Sequence, residues 1–415
     1  MNPPRVSLSE LLREFRPGRS IYVPGASAEL RCLQQLLSSE PASLAQVTLV
    51  SCLLPGMNGF DYAGLHPDCC IETFLLPPAL RPSFVEGRVS VIPLTYSGIA
   101  AHLATRRIDL ALLHVTPSHE GLCSFGIAAD FGPIVARSAR RRVGILNPRM
   151  PRPLNSPTIA LESFDAVVYV DEPLITASVP LAGPDLHSIA RHAATLIPNG
   201  ATLQIGIGQA PGAIWDALHG HKALRLWSGV VTDGFLSALD SGVMVASGHV
   251  AGFAHGSAEL YARLDGSEVV TFADVRTTHS AARLGQIDRL VAINSALEID
   301  LFGQVNLEWQ SGRLVSGVGG APDFNAAACR SAGGRSIVAM PATARNGSIS
   351  RISARLSAPT ASLSRTEVDT VVTEFGTASL AGLSLDGRAR ALIAIAAPAH
   401  RASLEHVWAE QRRDL

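Results

Sequence analysis

The chain has 415 residues, too many for one ordinary core and about right for two or three domains. With 47% hydrophobic and 17% charged residues it can bury a large interior, and a formal net charge of −1 offers no basic surface for nucleic acid or an acidic membrane. Residues Met1 to Gly18 lack the basic, apolar and small-residue regions of a secretion signal, and no apolar run approaches the roughly 20 residues that span a bilayer. The six cysteines contain no CxxC pair and are read as reduced thiols, so the expected compartment is the cytoplasm.

Aliphatic and β-branched runs alternate with helix-like segments throughout. Strands are expected at Val47–Leu53, Val89–Leu94, Leu110–Val115, Val143–Leu146 and Ala166–Val170, with helices at Ser97–Arg106 and Phe131–Arg141. Runs that are apolar on both faces suit a mostly parallel sheet covered on both sides, which makes the class α/β. A second series begins near Pro184. Asp185–Leu196 reads as a helix stopped by Pro198-Asn199-Gly200, followed by a strand at Ala201–Ile207 and a helix from Pro211 to His219. Later strands are expected at Val269–Phe272, Leu290–Asn294, Ser336–Met340 and Thr370–Thr373. The last helix is expected at Leu385–Ala396, with a short tail after Pro398. The boundary is placed to give domains 1–182 and 183–415.

Three glycine clusters follow strand-like runs: Gly206-Ile207-Gly208, Gly317-Val318-Gly319-Gly320 and Arg345-Asn346-Gly347. Glycine lets backbone approach a ligand closely and aim N–H groups at an anion, although each cluster alone is equally well a tight turn. The first is no dinucleotide fingerprint, because Pro211 stands where the third glycine belongs.

Together these segments resemble a known family. Ala201–Gly208, Ala292–Leu301 with Gly303-Gln304-Val305, Ser316–Gly320 with Asp323-Phe324, Thr343-Ala344-Arg345 leading to Ile349–Ile352, and Val371–Gly376 are similar, in order, to segments of the acetyl-CoA hydrolase/transferase family, the 4-hydroxybutyrate CoA-transferase-like proteins. In the first half Val115-Thr116-Pro117, Ser124-Phe125-Gly126 and Asn147–Pro151 match in the same order. The resemblance implies two open, mostly parallel-sheet CoA-transferase-type α/β domains. It implies coenzyme A as a substrate, without metal or redox cofactor, and a homodimer or higher homo-oligomer. Transferase members use a glutamate that becomes an acyl anhydride and then a glutamyl-CoA thioester. The Gly317, Val318, Gly319, Gly320 loop takes the oxyanion role in this comparison. Gly206, Gly208, Arg345, Asn346, Gly347 and Arg351 become further CoA-binding candidates.

One departure bears on the chemistry. The family places its nucleophile in Ser-Glu-x-x-(Ser/Thr)-Asp-Gly, and here the segment is Ser228-Gly229-Val230-Val231-Thr232-Asp233-Gly234. Glycine cannot form an anhydride. Asp233, Glu298 and His255 are the candidate bases for another route, with Glu374 and Glu308 as further acids. Glu298 and Glu374 read first as structural acids capping or bridging backbone, Glu308 stands near the GVGG loop in sequence with no orientation assigned, and His255 reads first as a packed or surface residue. Trp227 and Phe253 suggest an apolar acyl site. Hydrolysis of a CoA thioester is the leading expectation. The alternatives are a transferase that uses Glu298 with a small carboxylate as partner, and a non-catalytic acyl-CoA-binding protein.

Overall fold

A computed structural model describes residues 2–177 and 183–415. The chain divides into two units. One comprises Met1–Ser178, His249–Thr278 and Val315–Gly319; the other comprises Val179–Gly248, His279–Leu314 and Gly320–Leu415. The expected boundary at 182/183 adjoins residues 178–182, which lie outside the described residues.

In the first unit seven short strands form one sheet: β1 (Ser20–Tyr22), β2 (Thr48–Val50), β3 (Cys70–Thr73), β4 (Val89–Val91), β5 (Leu110–Val115), β6 (Arg142–Leu146) and β7 (Ala166–Tyr169). Their order is β4-β3-β2-β1-β5-β6-β7, and every pairing is parallel. All six residues of β5 are buried, as the continuous apolar run requires when both faces are covered. Helices of this unit include α1 (Arg31–Ser39), α2 (Tyr96–Thr105) and α3 (Gly132–Ser138). Leu33 and Leu37, four apart on α1, are its buried face. The Thr95 hydroxyl caps α2 by accepting from the Gly98 N–H.

In the second unit β8 (Thr202–Ile205), β9 (Arg225–Leu226), β10 (Leu290–Asn294), β11 (Arg335–Ala339), β12 (Thr370–Thr373) and β13 (Gly376–Ser379) form a sheet in the order β9-β8-β10-β11-β12-β13. Its strands are parallel except for the closing β12–β13 hairpin. Helices α4 (Pro184–Ala194), α5 (Gln209–Ile214), α6 (Asp233–Asp240), α7 (Ala321–Arg330), α8 (Leu385–Ala394) and α9 (Pro398–Gln411) belong to this unit.

Two expectations change. The run at Val270–Phe272 is a strand, but it pairs in parallel with His249–Ala251, and both lie in the first unit. The stretch after Pro398 is the fourteen-residue helix α9 rather than a tail. Pro398 occupies the first turn, where a missing N–H costs nothing, and Leu404 and Trp408 bury themselves in the core of the second unit with Leu301, Val371 and Leu392.

Candidate functional site

The order of the second sheet reverses between β8 and β10, since the chain leaves β8 for β9 on one side and returns to β10 on the other. Ligands of open α/β sheets settle beyond the carboxyl ends of the strands at such a reversal. Here those ends are Gly206-Ile207-Gly208 after β8, Trp227-Ser228-Gly229 after β9, and Asn294 at the end of β10.

A buried chain of amides holds this corner. Asn294 Nδ2 donates to Gln204 Oε1 at 3.0 Å and to Asn325 Oδ1 at 2.6 Å, while Gln204 Nε2 donates to Asn294 Oδ1 at 3.2 Å. Asn325 Nδ2 then donates to the Ser336 hydroxyl at 3.0 Å, which donates to the Glu367 carbonyl at 2.6 Å. Buried polar groups in such a run are satisfied only together, which fixes the strand ends relative to one another. Gly206 lies directly against Asn294, whereas Gly208 is exposed with φ at 144°.

The segment after β9 follows the same logic. The Ser228 hydroxyl reaches back to the Ile205 carbonyl at 3.4 Å and accepts from the Val230 N–H at 3.3 Å. Gly229 follows, half-exposed, and Asp233 opens α6, where a carboxylate suits the positive end of a helix. Trp227 packs on the cluster of Leu290, Ala292, Phe324 and Ala328, and Phe253 is buried in the first unit.

The GVGG segment is divided in its packing. Gly317 presses so close to the residues after β3 that a Cβ on it would lie 2.4 Å from the Phe74 carbonyl oxygen, and the Tyr96 N–H donates to the Gly319 carbonyl at 3.1 Å. Val318 and Gly319 are half-buried, the latter with φ at 59°. Gly320 belongs to the second unit as the residue that precedes α7. The first N–H groups of that helix give its start a partial positive charge, suited to an oxyanion or phosphate.

Glu298 is 9% exposed, and both carboxylate oxygens are engaged. Oε1 accepts from the Ser353 hydroxyl at 2.7 Å and the Ser357 N–H at 3.0 Å; Oε2 accepts from the Ser357 hydroxyl at 2.7 Å and N–H at 3.1 Å. Such a carboxylate ties two backbone segments together. Glu308 likewise accepts from the Ser362 hydroxyl at 2.7 Å, and Glu374 from the Ala342 N–H at 2.8 Å. His255 lies in the first unit, half-buried between the Phe253–Ala254 strand and the helix Ala258–Leu264.

Arg345, Asn346 and Gly347 turn the hairpin that pairs Thr343–Ala344 with Ile349–Ser350. All three carry positive φ and are exposed, with Arg345 Nη2 donating to the Ser311 hydroxyl at 3.2 Å. Arg351 is half-buried and donates to the Ala296 carbonyl at 3.1 Å; loss of hydration lowers its pKa, and the nearby Glu374 charge offsets part of that. Among the described residues no group of three or more His, Cys, Asp or Glu could hold a metal ion, and no helix is long and apolar enough to cross a membrane.

One site residue escapes the sequence reading altogether. His279, 2% exposed, stacks edge-on to Phe324 at 4.7 Å between ring centroids and lies against both Gly229 and Gly320. Burial pulls its pKa down to about 3, so the ring is neutral at pH 7. Thr277-Thr278-His279 carries no periodic or motif signal that would single it out.

Residues 256–407 match the model of the acetyl-CoA hydrolase/transferase C-terminal domain. The 4-hydroxybutyrate coenzyme A transferase of Clostridium kluyveri is 36% identical over 335 residues, 78% of each chain. Among solved structures, RipA from Yersinia pestis superposes with a TM-score of 0.90 at 27% identity, covering 99% of this chain and 98% of that one. The 4-hydroxybutyrate CoA-transferase of Porphyromonas gingivalis does so with a TM-score of 0.81 at 31% identity, covering 99% and 98%. The chain belongs to the acetyl-CoA hydrolase/transferase family.

Proposed function

We propose that this protein cleaves a coenzyme A thioester without a glutamyl intermediate, most simply by hydrolysis. The observation that carries the reading is Gly229: the segment that holds the family's nucleophile offers backbone there and no carboxylate. In the hydrolytic reaction the oxygen of water bonds to the acyl carbon and the C–S bond breaks with its electron pair on sulfur. The proton released by water ends on the thiol. The start of α7 at Gly320, with Gly317, Val318 and Gly319 before it, is the proposed oxyanion support, and one such donor is worth on the order of 3 kcal/mol. Gly206, Gly208, Arg345, Asn346, Gly347 and Arg351 are the proposed contacts to coenzyme A; a guanidinium can grip a phosphate with two N–H groups.

Asp233 and His255 remain the proposed bases. A transferase that relies on Glu298 is disfavoured by the four hydrogen bonds its carboxylate already accepts. The proposed setting is a cytoplasmic homo-oligomer. A panel of acyl-CoAs, followed by thiol release with and without acetate, tests the function. Release that is indifferent to acetate supports hydrolysis. Acetyl-CoA formed only with acetate present establishes a transferase, and CoA binding by calorimetry with no turnover of any thioester establishes a binding protein.

A further inference from the structure

If Gly229 stands where the nucleophile's side chain belongs, as proposed above, the group that now fills that space is His279. A Cβ built on Gly229 would lie 3.1 Å from the imidazole Cε1 and 3.3 Å from Nε2, tighter than ordinary van der Waals contact. The ring has little room to yield. A Cβ on Gly320 would lie 2.3 Å from Nε2 and 2.8 Å from Cδ2, so the imidazole edge already rests on backbone that tolerates only glycine. Phe324, 1% exposed, packs edge-on against the same ring. Two glycines distant in sequence thus lean on one imidazole. The φ of Gly229 lies outside the left-handed region, so space rather than backbone strain limits what position 229 can carry.

We propose that His279 determines which reaction this site can run. It takes the volume into which a side chain at 229 would project, so a glutamate placed there cannot reach an acyl-CoA while the imidazole is in position. On this account the loss of the carboxylate is built into the packing, and a single substitution does not reverse it. Volume-filling partners of this kind are strongly non-additive, because each change alone leaves either a clash or a cavity.

The test is a double-substitution cycle on the full chain: Gly229→Glu, His279→Ala and the pair, with Gly229→Ala as a milder probe that adds one methyl. Two readouts are taken, the thermal midpoint without ligand and covalent attachment of CoA to the protein by mass spectrometry after incubation with acyl-CoAs. Gly229→Glu and Gly229→Ala are expected to lower the midpoint by several degrees with His279 present and by clearly less with His279→Ala. A CoA adduct is expected in the Gly229→Glu, His279→Ala protein and absent from Gly229→Glu alone. Equal midpoint losses with and without His279, or an adduct in Gly229→Glu alone, overturn the proposal. Thermal coupling without any adduct in the double variant instead overturns the placement of the nucleophile at 229, and with it the chemical half of the proposal.

Discussion

The side-chain oxygen of Asn294 lies 2.7 Å from where a Cβ on Gly206 would stand. The amide cannot swing aside cheaply, since the same side chain bonds Gln204 and Asn325. The first glycine of the loop after β8 is therefore set by a partner some ninety residues away in sequence.

Gly206→Ala should destabilise the protein by about 1–3 kcal/mol, the usual range for overpacking a rigid site. Urea denaturation measures it. A variant as stable as the parent would mean that the amide chain moves freely.

Glu298→Gln keeps the shape but turns an NH2 toward hydrogen-bond donors of Ser353 and Ser357. A loss of about 1–3 kcal/mol in stability is expected. Thiol release per folded molecule should stay within a few-fold of the parent. Abolished release in a protein of unchanged stability would make Glu298 a chemical participant instead.

His114 governs part of the acid sensitivity. Its Nδ1 faces the Ala28 carbonyl at 2.9 Å and so donates, while Nε2 faces the Asn147 amide Nδ2 at 3.0 Å and accepts; burial pulls the pKa down to about 4. The unfolded chain, with its histidine near 6.5, binds the extra proton first, so stability falls as pH drops from about 6.5 to about 4. On the order of 3 kcal/mol is at stake in that window. His114→Gln should lose less stability than the parent between pH 7 and pH 4.5 in parallel denaturation curves. Identical losses would refute the assignment.

Trp408 of α9 packs edge-on to Phe302 at 5.6 Å and donates from Nε1 to Asp386 Oδ1 at 3.0 Å. Trp408→Ala should cost about 3–5 kcal/mol, as for other buried aromatic truncations. Removing α9 altogether should leave the second unit poorly folded, which proteolysis would read out.

The sheets were legible because their longer strands are centred on aliphatic residues: β5, β6, β7, β10 and β12 all fall within a residue of the apolar runs. The strands that escaped are short or mixed. Ser20–Tyr22 has three residues, and Cys70–Thr73 carries a glutamate, so neither shows an apolar run. Helix α9 escaped because its apolar residues form no continuous stripe and only Leu404 and Trp408 are buried. At the site, identity was readable and orientation was not. Glu298 could be picked out as an acid, yet only the fold reveals the two serines that hold it. His279 was invisible because its significance depends on two glycines, about 50 residues before it and 41 after it in sequence.

The first unit's loan of residues 249–278 and 315–319 from the far half of the chain has an evolutionary corollary. No single cut separates the two units, because the polypeptide passes from one to the other five times. A fragment ending at residue 177 would lack the strands at His249–Ala251 and Val270–Phe272, and also Gly317, which lies against Phe74 and Leu75 just after β3. Recombination at the apparent boundary would exchange incomplete pieces. Exchanging one whole unit for a relative's would instead require all five crossings to be matched at once.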